Sequence, residues 1–310
     1  MASECMIMVE DLVKKYGDFT AVDHISFCVR RGEIFGFLGP NGAGKTTTVR
    51  MLCSLTRITS GRAYISGYSV EDHKAVKRVI GVVPDISNLY AELSCWDNVV
   101  FCGEMYGIPW RERTRRAEEL LKFFGLWGKR DVKFKNLSKG LKRRLTIAAA
   151  LMHKPQILFL DEPTVGLDVL SKRTIWRYII ELNKGGTTIF LTTHNIYEAF
   201  RICHRVAVIN HGKIVAEGTP EELGRMFSVR EVLEISFNPH NPPARELCSI
   251  KSVVDAREER GVIKLIVRDP LDALEEIVRY AKAKGLDISM ISLRGVDAEE
   301  VFLNIIGESK

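Results

Sequence analysis

The sequence predicts an α/β fold with a parallel-sheet core, an antiparallel β subdomain, a helical insert, and a small C-terminal α+β domain. Three observations predict it. The apolar run at residues 34–38 delivers a glycine-rich loop and then a helical stretch at 47–55, a strand, turn and helix in succession. Two further apolar runs, 157–160 and 187–191, end in polar residues, Asp161 and Glu162 in one case and Thr192, Thr193 and His194 in the other. Strands with polar groups at their C-terminal ends imply a parallel sheet with a ligand site along that edge. After residues 226–230 the composition changes and a second set of alternating runs begins.

The glycine-rich loop reads Gly39, Pro40, Asn41, Gly42, Ala43, Gly44, Lys45, Thr46, with Thr47 opening the helical run. Its spacing is G-x-x-x-x-G-K-[ST], which is a phosphate cradle. Glycines let backbone N–H groups turn onto phosphate oxygens, the lysine supplies a point charge, and the threonine hydroxyl completes a Mg²⁺ shell. The N-terminus of the following helix adds its positive dipole end. At the second strand end, Asp161 is expected to hold Mg²⁺ through water or the Thr46 hydroxyl. Glu162, one residue on, is expected to polarise an attacking water.

Ahead of the cradle, short apolar runs alternate with turns from Met6 to about Leu38, the pattern of an antiparallel sheet. The helical insert is expected at about 87–153; within it, residues 111–124 mix charges with Leu120, Leu121, Phe123 and Phe124 at helix spacing. Residues 206–210 and 213–216 flank His211-Gly212 as a closing hairpin. The first domain is expected over 1–228 and the second over 229–310. In the second, 232–237 reads as a strand, 238–243 as a proline-rich loop, and 250–256 with 262–267 as a hairpin. An amphipathic helix at 270–284, a strand at 288–293 and a last helix at 298–306 complete it.

The chain has 310 residues, 46% of them hydrophobic, which is ample for a large domain and a smaller one. Its net charge of +6 is spread among interleaved acidic and basic residues, too weak a bias to indicate nucleic acid. Seven scattered cysteines show no C-x-x-C pair or metal-ligand spacing, so reduced thiols in a cytosolic protein are expected. No run approaches the ~18 apolar residues of a membrane span, and the N-terminal stretch lacks a secretory pattern. A soluble protein that meets membranes only through a partner is the expectation.

Residues 136–144, NLSKGLKRR, stand before a helical run and ahead of Asp161. This segment resembles the signature loop of ATP-binding cassette (ABC) ATPases, whose core is L-S-G-G. Other family landmarks follow in order over about residues 5–225: Tyr16, the cradle, Asp161-Glu162, Gly166-Leu167-Asp168, and His194. The resemblance implies the P-loop NTPase fold of the ABC type and a head-to-tail homodimer with ATP and Mg²⁺ between the cradle of one copy and the signature loop of the other. On that reading Tyr16 stacks on adenine. Ser138, Lys139 and Gly140 form the loop that approaches the γ-phosphate in trans, and Asp168 links the two sites. His194 bonds the γ-phosphate and orients the water with Glu162. Two positions depart from the family pattern. Asp85 stands where the family usually has a glutamine that touches Mg²⁺ and the water, and Lys139 replaces the first glycine of the signature pair.

Residues 87–108 resemble the corresponding segment of drug-resistance exporter ATPases, and 295–303, GVDAEEVFL, are similar to the S-L-E-D-V-F-L ending of that branch. The resemblance therefore implies an ATP-hydrolysing subunit that drives a separate membrane permease in export, placed on the cytoplasmic face of the membrane. A groove between insert and core, near 85–96, would receive a permease helix. The alternative from another class is a non-transport cassette ATPase acting on ribosomes or nucleic acid. It is disfavoured by the single cassette and by the fewer than a hundred residues between Thr46 and Ser138, and no direct nucleic-acid partner is expected. A third is an ATP-binding switch without turnover.

Overall fold

The structure is a computed structural model that describes residues 5–226, 231–259, 261–267 and 270–294. By internal contacts the chain divides into two units, Met1–Pro220 and Glu221–Lys310. The division falls a few residues before the expected one, within a helix.

In the first unit, Cys5–Tyr16 (β1) and Phe19–Arg30 (β2) form a long antiparallel ribbon with Met8 opposite Cys28 and Leu12 opposite Ile25. Ile34–Leu38 (β3) does not join them; it lies in the parallel sheet, so the antiparallel reading ends at Arg30. The reason is burial: every residue of β3 is buried, and strands covered on both faces read as continuous apolar runs. Lys45–Leu52 (α1) follows the cradle. Ser60–Ile65 (β4) and Tyr68–Ser69 (β5) then complete a four-stranded sheet in the order β2-β1-β4-β5.

The ribbon also corrects the expectation of seven reduced cysteines. Cys5 and Cys28 form a disulfide with Cα atoms 5.8 Å apart, while the five other cysteines are free thiols. Antiparallel pairing brings together residues 23 apart in sequence, which spacing motifs do not detect.

His73–Val79 (α2) leads into Ile80–Val83 (β6) and then the insert. Cys95–Met105 (α3) is capped by Ser94, whose hydroxyl accepts the Asp97 N–H at 3.0 Å. Trp110–Phe123 (α4) buries Ala117 and Leu121, one turn apart, as its charge pattern requires. Two short 3-10 turns precede Lys139–Ala150 (α5), which Ser138 caps. Ile157–Asp161 (β7), Val169–Lys184 (α6), Thr188–Thr193 (β8), Ile196–Ile202 (α7), Arg205–Asn210 (β9) and Lys213–Gly218 (β10) complete this unit. The six-stranded sheet has the order β10-β9-β3-β8-β7-β6 and is parallel except for the β10–β9 hairpin. The two sheets pack through aromatic rings. Phe27 of β2 lies 5.5 Å from Phe35 and 5.9 Å from Phe190, and Phe159 lies 5.4 Å from Phe190.

Pro220–Met226 (α8) spans the division. The second unit holds Glu231–Asn238 (β11), Ala244–Leu247 (α9), Val253–Glu259 (β12), Val262–Val267 (β13), Pro270–Lys284 (α10) and Asp287–Arg294 (β14). Its antiparallel sheet runs β12-β13-β11-β14. Ala273, Ile277 and Ala281, four residues apart along α10, share a core with Leu233, Ile235, Ile263 and Leu265. The expected helix at 298–306 and the motif at 295–303 lie outside the described residues.

Candidate nucleotide site

Three parallel strands bring the separated motifs to one sheet edge. Leu38 at the end of β3 pairs with Thr193, and Asp161 at the end of β7 pairs with Thr192. The cradle loop leaves β3 and turns into α1 through Gly44, at φ 109°, where a Cβ would meet the Ala21 carbonyl oxygen at 2.6 Å. Only glycine fits that turn. Lys45 is buried, and its Nζ donates to the carbonyls of Gly39 at 2.7 Å and Pro40 at 3.1 Å. The same Nζ lies 3.3 Å from Glu162 Oε1.

Thr192 organises the acidic pair. Its hydroxyl donates to Asp161 Oδ1 at 2.5 Å and accepts the Glu162 N–H at 3.0 Å. The Thr46 hydroxyl donates to the same Asp161 oxygen at 3.4 Å. Glu162 adopts φ 47°, a left-handed conformation uncommon outside glycine. Its Oε2 pairs with His194 Nδ1 at 3.0 Å, whereas Oε1 is buried and makes no hydrogen bond. Because a carboxylate only accepts, Nδ1 carries the proton in that pair and Nε2 is left for another partner. Lys45, Thr46, Asp161, Glu162 and His194 are thus joined in one cluster, beside the turn formed by Gly39–Gly44.

The remaining sequence-selected residues stand elsewhere. Tyr16 is half-exposed at the end of β1, with Lys14 Nζ 4.8 Å from its ring centre. Ser138, Lys139 and Gly140 open α5, and among the described residues no hydrogen bond or ion pair joins them to the cradle. Gly140 is buried against α6: a Cβ there would lie 2.7 Å from Ser171 Oγ. Asp168 caps that helix, accepting from Ser171 N at 2.9 Å and Ser171 Oγ at 2.6 Å. These bonds, the hydroxyl's first, hold its carboxyl below the ordinary range. The Lys139 ammonium lies against Gly166 of the same chain. Asp85 is exposed and lines a cavity of about 160 Å³ with Lys139, Lys142 and Arg143.

Beside the acidic pair and the ends of β7 and β8, two buried charged residues were missed by the sequence reading. Arg143, 9% exposed, belongs to the basic tract 139–144, which reads in the sequence as a charged signature helix. Its guanidinium donates to four carbonyls: Pro163 at 2.8 Å, Pro84 at 2.5 Å, Asp161 at 3.2 Å and Glu162 at 2.6 Å. Burial lowers its pKa, opposed by nearby acids with Asp85 foremost among them. Its spacing from Gly140 and Ile147 puts it on the buried face of α5, and that periodicity is the signal that identifies it. Glu198, 1% exposed, accepts from the Thr164 and Thr193 hydroxyls, both at 2.8 Å, and from Trp176 Nε1 at 2.7 Å. It ties the segments after β7 and β8 to α6.

Further along α5 lies an open groove of about 310 Å³, lined by Pro84, Leu89, Met105, Tyr106, Thr146 and His153. Of the residues expected to form a groove between insert and core, 85–96, Asn88 and Leu89 line this one. Among the described residues no helix is long and apolar enough to cross a membrane.

The profile of the ABC transporter family matches residues 22–165. The linearmycin resistance ATP-binding protein LnrL of Bacillus subtilis (strain 168) is 34% identical over 309 residues, 98% of this chain and 99% of that one. This chain belongs to the ABC transporter ATP-binding family. The Nod factor export ATP-binding protein I of Ralstonia nicotianae is 36% identical to this cassette ATPase over 309 residues, 99% of this chain and 95% of that protein. A dimeric post-hydrolysis structure of the ATP-binding cassette MJ0796, bound to ADP and Pi, superposes with a TM-score of 0.64. It is 28% identical and covers 69% of this chain and 99% of that one. The cassette ATPase therefore has the P-loop NTPase fold of the ABC type, and it binds and hydrolyses ATP as a transporter subunit.

Proposed function

We propose that two copies of this ATPase close head to tail on ATP and drive a separate membrane permease in export from the cytoplasmic face. The observation that carries the reading is the cluster of Lys45, Asp161, Glu162 and His194 at one sheet edge, with Ser138 and Gly140 on a different element. The signature loop is then free to serve a second copy. Val169 and Leu170, 66% and 75% exposed beside Asp168, are apolar residues suited to such a face. The names of the relatives above, one for linearmycin resistance and one for Nod factor export, support the direction of transport.

On this reading the cradle and Lys45 bind the phosphates, while Ser138 and Gly140 of the other copy close on the γ-phosphate. Tyr16 packs on the base. Thr46 and Asp161, hard oxygen donors already in contact, fit Mg²⁺, which takes few protein ligands and completes its shell with phosphates and water. Bound there, Mg²⁺ would neutralise charge on the phosphate oxygens. Asp85 is a third oxygen donor for it through water. Oε1 of Glu162, beside the Lys45 ammonium, accepts a proton from water as the water oxygen attacks the γ-phosphorus and the bond to the β-phosphate oxygen breaks, giving ADP and phosphate. His194, its Nδ1 on Glu162, presents Nε2 to the γ-phosphate when doubly protonated. The basic tract that would carry a nucleic-acid role turns Arg143 inward, which disfavours that reading.

The test is affinity capture of the Glu162→Gln variant from its host's membranes in ATP, followed by identification of co-purifying proteins. Stoichiometric recovery of a polytopic membrane protein is expected. Recovery of ribosomes or nucleic acid without one would sink the proposal.

A further inference from the structure

We infer that Arg143 is a positioning residue that ties the groove-wall residue Pro84 to the backbone of Glu162. The inference rests on the reading of Glu162 as the general base.

The geometry has two ends. At the catalytic end, Glu162 is held left-handed at φ 47° from both sides, its N–H on the Thr192 hydroxyl and its carbonyl on Arg143 Nη2 at 2.6 Å. A residue in that region persists only where its surroundings over-determine it. The direction of the Glu162 carboxylate follows from that peptide, so the guanidinium helps set where the base points. At the other end, Nη1 of the same guanidinium holds the Pro84 carbonyl at 2.5 Å. One turn along α5, the Thr146 and Ser87 hydroxyls bond at 2.9 Å. Pro84 lines the groove, so anything seated there presses on the residue whose carbonyl Arg143 holds. Asp85, between the two anchored residues, shares a cavity with the guanidinium and brings a negative charge to it.

Arginine suits the task because its planar fork serves several carbonyls in fixed directions, which a lysine ammonium does not reproduce. A purely structural arginine would be felt in stability and ATP affinity as much as in turnover. A positioning residue is felt in kcat, and only while Glu162 is present.

The test uses the full-length protein and measures kcat, KM for ATP, ATP affinity and Tm for Arg143→Lys and Arg143→Met. The lysine variant, which keeps the charge and most of the stem, decides the matter if the methionine variant does not fold. Kcat is expected to fall about 10-fold for Lys and about 100-fold for Met, with ATP affinity within about threefold of the parent. Added to Glu162→Gln, Arg143→Lys should lower the residual rate no further. A lysine variant with parental kcat, a loss confined to KM, or full additivity with Glu162→Gln overturns the inference. If Glu162→Gln itself turns over ATP like the parent, the reading of the base fails and the inference with it. An inactive Glu162→Gln beside a fully active Arg143→Lys removes the inference alone.

Discussion

Gly140 shows how a single missing methyl shapes this site. The signature glycine lies so near α6 that a Cβ would sit 2.7 Å from Ser171 Oγ and 3.1 Å from Ser171 Cβ. Ser171 has no easy retreat, because its hydroxyl and N–H are both bonded to Asp168. Gly140→Ala should therefore destabilise the protein by about 1–3 kcal/mol, the usual range for overpacking, and uncap α6. A urea titration of that variant should show a lower midpoint, and adding Ser171→Gly should restore much of it; an unshifted midpoint would refute the contact. Lys139, by contrast, is tolerated where the family has glycine because the residue is exposed and its ammonium lies over Gly166. Sequence reasoning reached the cluster residues because each sits at a fixed offset from an apolar strand. It missed Arg143 because local spacing cannot distinguish a guanidinium in water from one bound to four carbonyls in segments distant along the chain.

Between elements, the groove beside α5 carries its own titrating group. His153 stacks on Tyr106 with ring centres 3.7 Å apart, and its Nε2 donates to the Ile80 carbonyl at 2.7 Å. Nδ1 is buried without a partner. Burial lowers the imidazole pKa below its ordinary value of 6.5, outweighing the Ile80 bond. The sign follows from linkage: the neutral ring is favoured in the folded state, so this contribution is complete above pH 6.5. It is lost as the pH falls through the unfolded value toward the folded one. Denaturant midpoints between about pH 5 and 8 should decline on the acid side, and His153→Gln should flatten that decline; an unchanged slope would remove His153 as the cause. At the same scale, the β1–β2 ladder makes its own prediction. Protein purified without reductant, denatured and alkylated, should gain five labels on its seven cysteines. Full labelling of all seven would contradict the Cys5–Cys28 bond. Inside a reducing compartment the pairing of the two strands would still hold these residues near each other.

For the whole molecule, the proposed working state is two copies. Glu162→Gln should elute as a monomer of the 35.0 kDa chain without nucleotide and at twice that mass with ATP, as measured by light scattering. Persistence of the monomer at saturating ATP would count against head-to-tail closure. The sequence by itself determined the class of fold and the chemistry: the cradle at 39–46, the acidic pair and the histidine are local patterns on strand ends, and strand-to-loop transitions are written in adjacent residues. The hairpin and amphipathic helix of the second unit were legible for the same reason. Tertiary structure alone decided that β3 leaves the antiparallel ribbon, that Cys5 meets Cys28, and that Arg143 and Glu198 turn inward to bind the ends of β7 and β8. Those outcomes depend on which distant segments become neighbours. A buried charge is stable only where such neighbours supply its hydrogen bonds, and that is a property of the assembled chain rather than of any stretch within it.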